Sequence, residues 1–289
     1  MDRACGLSLR IESWHPRIDN KEMKRSILNI TPAPRIGLLI TCLADLLRPT
    51  TVLSTSRLLA SVGCRVIVPS QQTCCGQPFY NGGDIVNARA LARRTIAQFD
   101  AFDYIVAPSG SCIGMLKKHY PALFAGDPAW ERRAKDFAAR CFEITNFLVN
   151  VREPERLTMK THDSDGASYG TVTYHDSCSG LRELGIHDQP RFLLERVMGI
   201  GIAEMPHSNV CCGFGGAFCI EYPALSTRIV SNKVANIETV GANTLLGGDL
   251  GCLFNIAGRL QRMQSPIKVY HVAEVLAGMS GIPSICHQE

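Results

Sequence analysis

The sequence predicts an α/β fold of two tandem homologous lobes, each a parallel sheet flanked by helices, with cysteine loops at the carboxyl ends of the strands. Three observations carry that expectation. Short apolar runs alternate with stretches of helical periodicity along most of the chain, the pattern of parallel sheets covered on both faces. Cys42, Cys74, Cys75 and Cys112 reappear as Cys178, Cys211, Cys212 and Cys252, at offsets of 136, 137, 137 and 140 residues. In both copies the cysteines follow the apolar runs, at the sheet edge where α/β proteins bind ligands.

Taken in order, residues 1–34 mix charges, end in Thr31-Pro32-Ala33-Pro34 and read as an irregular arm to which no function is assigned, with Met23 a second candidate start. The first lobe spans 35–151. IGLLITC (36–42) is a buried strand running into a cysteine, and PTTVLSTSRLLASVG is a helix that opens at proline and closes at glycine. CRVIVP is a strand that delivers the chain to Cys74-Cys75, DIVNARALARRTIAQF a helix with Asp84 as cap, and YIVAP a strand that stops before Cys112. A helix at 113–120 and the segment CFEITNFLVN complete the copy.

Residues 152–170, polar and turn-rich, form the linker. The second lobe, 171–280, repeats the order: TVTYHDSC, QPRFLLERVMGIG, IAEMP, the paired Cys211-Cys212, PALSTRIVSNKVANIETVG, NTLLGG, Cys252, a helix at 253–263 and KVYHVAEVLAG.

Composition narrows the function. A chain of 289 residues with 46% hydrophobic content can bury a sizeable core. Its formal charge of +4 comes from 30 basic and 26 acidic residues without a basic stripe, which argues against nucleic-acid binding. No apolar run reaches the ~18 residues of a membrane span, and no secretory leader is visible, so the expected location is the cytoplasm. Thirteen cysteines in such a compartment point to metal ligation or redox chemistry rather than disulfides.

The adjacent thiols carry the chemistry. Neighbouring side chains on an extended backbone point apart, so both sulfurs can serve one small object only if the chain bends sharply or the object holds several metal atoms. Gly76 and Gly213, directly after the pairs, permit that bend. Thiolates suit iron–sulfur clusters or zinc. Zinc usually announces itself through C-x2-C pairs, which this sequence lacks. A vicinal disulfide leaves the other cysteines of each set unexplained, and unrelated buried thiols leave the repeat unexplained. An iron–sulfur cluster in each copy accounts for both.

The pattern Cys, long gap, Cys-Cys-Gly, long gap, Cys resembles the cysteine-rich (CCG) domain found in heterodisulfide reductases, glycolate oxidase iron–sulfur proteins and anaerobic glycerol-3-phosphate dehydrogenases. More narrowly, TCLADLLRPTTV, CCGQPFYNGGD, APSGSC, YHDSCSGLRELG and CCGFGGAFC are similar to the LutA/YkgE family, lactate utilization protein A. The resemblance covers about residues 35–280. It implies a stand-alone protein with two CCG domains that oxidises L-lactate to pyruvate together with a ferredoxin-like iron–sulfur subunit and a third lactate-utilization protein. It further implies one or two clusters, [4Fe-4S] in type, held by Cys42, Cys74, Cys75 and Cys112 and by Cys178, Cys211, Cys212 and Cys252. Each set is one thiol short of the relative that ends its motif in C-x2-C. Met115 and Cys219 are the nearby soft groups that could fill the place, Met115 reading better as core.

Three further residues are candidates for catalysis. His175 and Asp176 precede Cys178, where an imidazole could relay a proton or hydrogen-bond a sulfur, or simply be satisfied at a strand end. Arg182 could pair with the carboxylate of a small 2-hydroxy acid. GFGGAF lacks the order of a dinucleotide fingerprint, so no NAD is expected. Cys5, Cys64, Cys141 and Cys286 read as core or surface thiols. Two alternatives to lactate oxidation stay open: the same chemistry on glycolate, another 2-hydroxy acid or a disulfide, and a non-catalytic, metal-stabilised assembly module.

Overall fold

The structure is a computed structural model describing residues 33–152, 169–279 and 281–285. The arm 1–34, Met23, Cys5, Cys286 and the linker 152–170 therefore fall wholly or largely outside the described residues.

Strands β1 (Arg35–Leu38), β2 (Arg65–Ile67), β3 (Tyr104–Ala107) and β4 (Cys141–Glu143) form one sheet in the order β2-β1-β3-β4, every pair parallel. Strands β5 (Val172–His175), β6 (Thr244–Gly247) and β7 (Lys268–His271) form a second, also all parallel, in the order β5-β6-β7. Crossover helices join the strands, as a parallel arrangement requires. The longest are Pro49–Ser61 and Ile85–Phe99 in the first lobe and Pro223–Glu238 and Leu250–Arg262 in the second. Asp84 caps its helix as expected, its carboxylate accepting from Asn87 N.

Two expectations need correction. IAEMP is not a strand: Ile202 makes one isolated parallel bridge to Val172, so the counterpart of β2 is vestigial. Gly199 and Gly201 before it and Pro206 at its end deny the segment a run of ladder-competent residues, and Glu204 turns to Arg191. The helices expected at 113–120 and 253–263 begin earlier, at Gly110 and Leu250, because Ser109 and Asp249 cap them. Ser109 Oγ accepts from Cys112 N at 3.2 Å and Asp249 Oδ1 from Gly251 N at 3.3 Å. Cys112 and Cys252 thus ride in the first helical turn. In the first lobe the helix widens to a π-helical segment, Met115–His119, before Tyr120–Leu123, where Pro121 brings no N–H to the ladder.

The described residues from Pro34 onward pack as one compact unit, and the lobes share a core. Ile36, Leu58, Leu59 and Phe147 of the first lobe meet Val172, Leu193, Leu246 and Val272 of the second in a single buried cluster. The segments after the leading cysteines are exchanged. Helix Cys42–Leu47 lies on helix Leu250–Arg262, with Ala44 in the second lobe's core, while the π-helical turn Ser179–Glu183 lies on helix Gly110–Gly114. A side chain at Gly110 would meet Gly180 Cα at 3.0 Å, so the contact is backbone to backbone. Polar ties cross the same boundary: Arg48 grips Glu274 at 2.7 and 3.1 Å, Asp249 Oδ2 accepts from Ser111 N at 2.8 Å, and His271 Nε2 lies 3.2 Å from Pro108 O.

Candidate metal centre

In the first lobe, Cys42 opens a helix capped by Thr41, Cys74 and Cys75 sit on the irregular loop after β2, and Cys112 lies in the turn after β3. Gly76 makes the predicted bend, with φ 86°. The four sulfurs neighbour one another in the order Cys42, Cys74, Cys75, Cys112. Donation from Cys42 and Cys75, helped by Gly76 N–H at 3.5 Å, holds the Cys74 sulfur well below the usual thiol range. The Cys42 thiol is pushed up by the neighbouring Cys74 sulfur, and Cys75 by the sulfurs of Cys112 and Cys74 and by burial. Met115, the alternative soft group, is fully buried in the apolar cluster of this lobe.

The second lobe repeats the arrangement. Gly213 has φ 83°, and the sulfurs neighbour one another in the order Cys178, Cys211, Cys212, Cys252. Cys211 is pushed down by donation from Cys178 and Cys212, with Gly213 N–H at 3.3 Å from its sulfur. Phe214 N–H lies 3.5 Å from Cys212 Sγ, and Asn255 Nδ2 donates to Cys212 O at 2.8 Å. Cys219 turns away, donating to Gly216 O at 3.2 Å.

The remaining candidates part company. His175 is 1% exposed, neither ring nitrogen has a hydrogen-bond partner, and a ring nitrogen lies with Cys212 Sγ and Cys252 Sγ inside a 4.8 Å span. Burial and the cation of Lys233 push the imidazole down to about 3, so it is neutral at physiological pH. Asp176 is not free: its two oxygens take Arg191 Nη1 and Nη2 at 2.9 and 3.0 Å, and Arg191 also holds Glu204. Arg182 is exposed, its guanidinium donating to Asn209 O at 3.3 Å beside the second cysteine pair. Cys64 and Cys141 are buried core thiols.

Two charged residues were missed by the sequence reading. Lys233 is buried, its ammonium donating to His207 O and Ser208 O at 2.8 and 3.0 Å, just ahead of the cysteine pair. Its spacing from Ser226 and Val230 places it on the buried stripe of its helix, and that periodicity was the available signal. Glu143, at the end of β4, caps helix Ile144–Asn150 through Oε2, while Oε1 has no partner and lies 3.8 Å from where a Gly248 Cβ would stand. Burial pushes its carboxyl up to about 7. It borders a crevice between the lobes with Gly110, Tyr174, Asp176 and Gly180.

All eleven cysteines among the described residues are free thiols, and eight of them fall into two contiguous sets with backbone N–H groups aimed at sulfur. This donor set fits an iron–sulfur cluster: soft thiolates and N–H···S bonds. Fold and site together define a duplicated cysteine-loop α/β protein. A family model described as "Cysteine-rich domain" (CCG) matches residues 36–117 and 172–257, one stretch in each lobe. Lactate utilization protein A of Geobacillus kaustophilus is 43% identical over 242 residues, covering 84% of this chain and 98% of the relative. The proteins of that name from Oceanobacillus iheyensis, at 43%, and Bacillus licheniformis, at 41%, match over 242 residues each, 84% of this chain and 96% and 98% of theirs. The chain belongs to the lactate utilization protein A family.

Proposed function

We propose that the chain is an iron–sulfur redox subunit of a multi-protein system that oxidises L-lactate to pyruvate. The observation that carries the reading is the pair of free-thiol sets, Cys42, Cys74, Cys75 and Cys112 and Cys178, Cys211, Cys212 and Cys252, each with backbone N–H aimed at sulfur. Those eight residues would hold clusters of [4Fe-4S] type, one in each lobe. Such clusters supply one-electron transfer. Lactate oxidation releases two electrons and two protons, so further carriers are required. They belong in this reading to a ferredoxin-like iron–sulfur partner and a third lactate-utilization protein, working together in the cytoplasm. Among the described residues no helix is long and apolar enough to cross a membrane.

The chain's own residues have distinct parts. Gly76 and Gly213 fold each cysteine pair toward one centre, and their N–H groups stabilise charge on sulfur. Arg182 is the cation assigned to the substrate carboxylate, because it is exposed beside the second cysteine loop. Asp176, locked to Arg191, positions the turn between His175 and Cys178. Anaerobic preparation should give ~8 iron atoms per chain with matching sulfide, and ~4 in Cys212→Ser. EPR with the partners present should change on adding L-lactate, and glycolate and other 2-hydroxy acids form the comparison panel. A zinc protein indifferent to every hydroxy acid would end the redox reading in favour of an assembly module. Arg182→Gln should raise KM for lactate with kcat retained.

A further inference from the structure

We propose that His175 is a metal ligand, binding through a ring nitrogen in the second lobe, so that the two centres of the molecule differ in donor set. The inference rests on the iron–sulfur reading above and deepens it. Its first support is an imidazole 1% exposed with both nitrogens lacking a partner. Buried polar atoms are almost always hydrogen-bonded, and leaving one unpaired costs about 1–3 kcal/mol. His175 is therefore an anomaly that a bond to metal would remove.

Geometry supplies the second support. A ring nitrogen, Cys212 Sγ and Cys252 Sγ already lie within 4.8 Å of one another. That span puts the ring nitrogen within reach of the same centre as the two thiolates after only small side-chain movements. Competing uses of the ring are taken up elsewhere. Asp176 is turned to Arg191, and the Lys233 ammonium is held by His207 O and Ser208 O. Cys219, the other residue able to complete the set, donates to its own loop.

The repeat supplies the third. Pairing of β1 with β3 and of β5 with β6 aligns Leu38 with Tyr174, and the next residues in the two copies are Leu39 and His175. Leu39 is buried in the apolar cluster that holds Cys75 and Cys112, so the first lobe offers carbon where the second offers nitrogen. At the position of Lys233, one helix over, the first lobe has Thr95, which aligns through the contacts of Gly76 with Ala88 and Gly213 with Ser226. A neutral nitrogen donor and a buried cation both favour the reduced, more negative state, so the second centre accepts an electron more readily than the first.

The test uses the full chain, prepared anaerobically with and without 15N-histidine and reduced with dithionite, alongside His175→Leu, which installs the first-lobe residue. Pulsed EPR should show a strongly coupled histidine nitrogen on one centre of the wild type. That coupling should disappear in His175→Leu while the first centre's signal persists. Iron-loaded wild-type protein with no histidine nitrogen coupling, or the same coupling retained in His175→Leu, overturns the proposal and leaves the iron–sulfur reading standing. Wild-type protein without iron and sulfide sinks both. Should His175→Leu fail to fold, the isotope experiment on the wild type still decides.

Discussion

Glu143 shows how one residue writes a pH dependence into the molecule. Its carboxyl is 3% exposed and is raised from 4.5 to about 7 by burial, with hydrogen bonds from Thr145 and Asn146 pulling the other way and Asp249 adding repulsion. The folded state therefore keeps a proton that the unfolded chain releases above about pH 4.5. Stability should be unaffected by this group below about pH 4.5, fall as pH rises toward 7 and level off above, a loss of about 3 kcal/mol. Glu143→Gln should abolish that slope in urea titrations at pH 5 and pH 8. Gly213 is the second sensitive position. At φ 83°, with an added Cβ 2.8 Å from Ser226 O, Gly213→Ala should cost at least about 1–2 kcal/mol in chemical denaturation and detach iron from the second lobe. Both cysteine sets and both glycine bends were legible in the sequence because adjacent thiols and a following glycine are local facts. The isolation of His175 and the burial of Lys233 were not, because each depends on what distant segments leave unpaired.

At the scale of elements, most strands and crossover helices were readable from alternating apolar runs and from cap residues such as Asp84. IAEMP failed because an apolar trio between two glycines and a proline looks like a short strand whether or not a neighbour pairs with it. The early starts at Gly110 and Leu250 were missed because Ser109 and Asp249 act as caps only once the turn beyond them has formed. Helix Val272–Leu276 depends on a buried partner from the other lobe: Glu274 receives Arg48 and the hydroxyls of Thr50 and Thr51. Arg48→Ala strands that carboxylate and should cost about 3–5 kcal/mol, whereas Arg48→Met combined with Glu274→Leu should restore most of it. Thermal and denaturant unfolding of the single and double variants checks the difference.

For the molecule as a whole, two lobes that read as separate units along the sequence share one apolar core and exchange the helical segments behind their leading cysteines. Native-state hydrogen exchange should accordingly give amides of β1, β3, β5 and β6 one common opening free energy. The exchange itself has a historical consequence. Gly110 touches Gly180, and their counterparts in the repeat, Leu250 and Ala44, share the second lobe's core. A half-length forebear would have met this requirement by pairing with itself, the same two patches serving on either side. Joining two such halves in one chain leaves the two patches free to differ, as the glycines on one side and the larger residues on the other do.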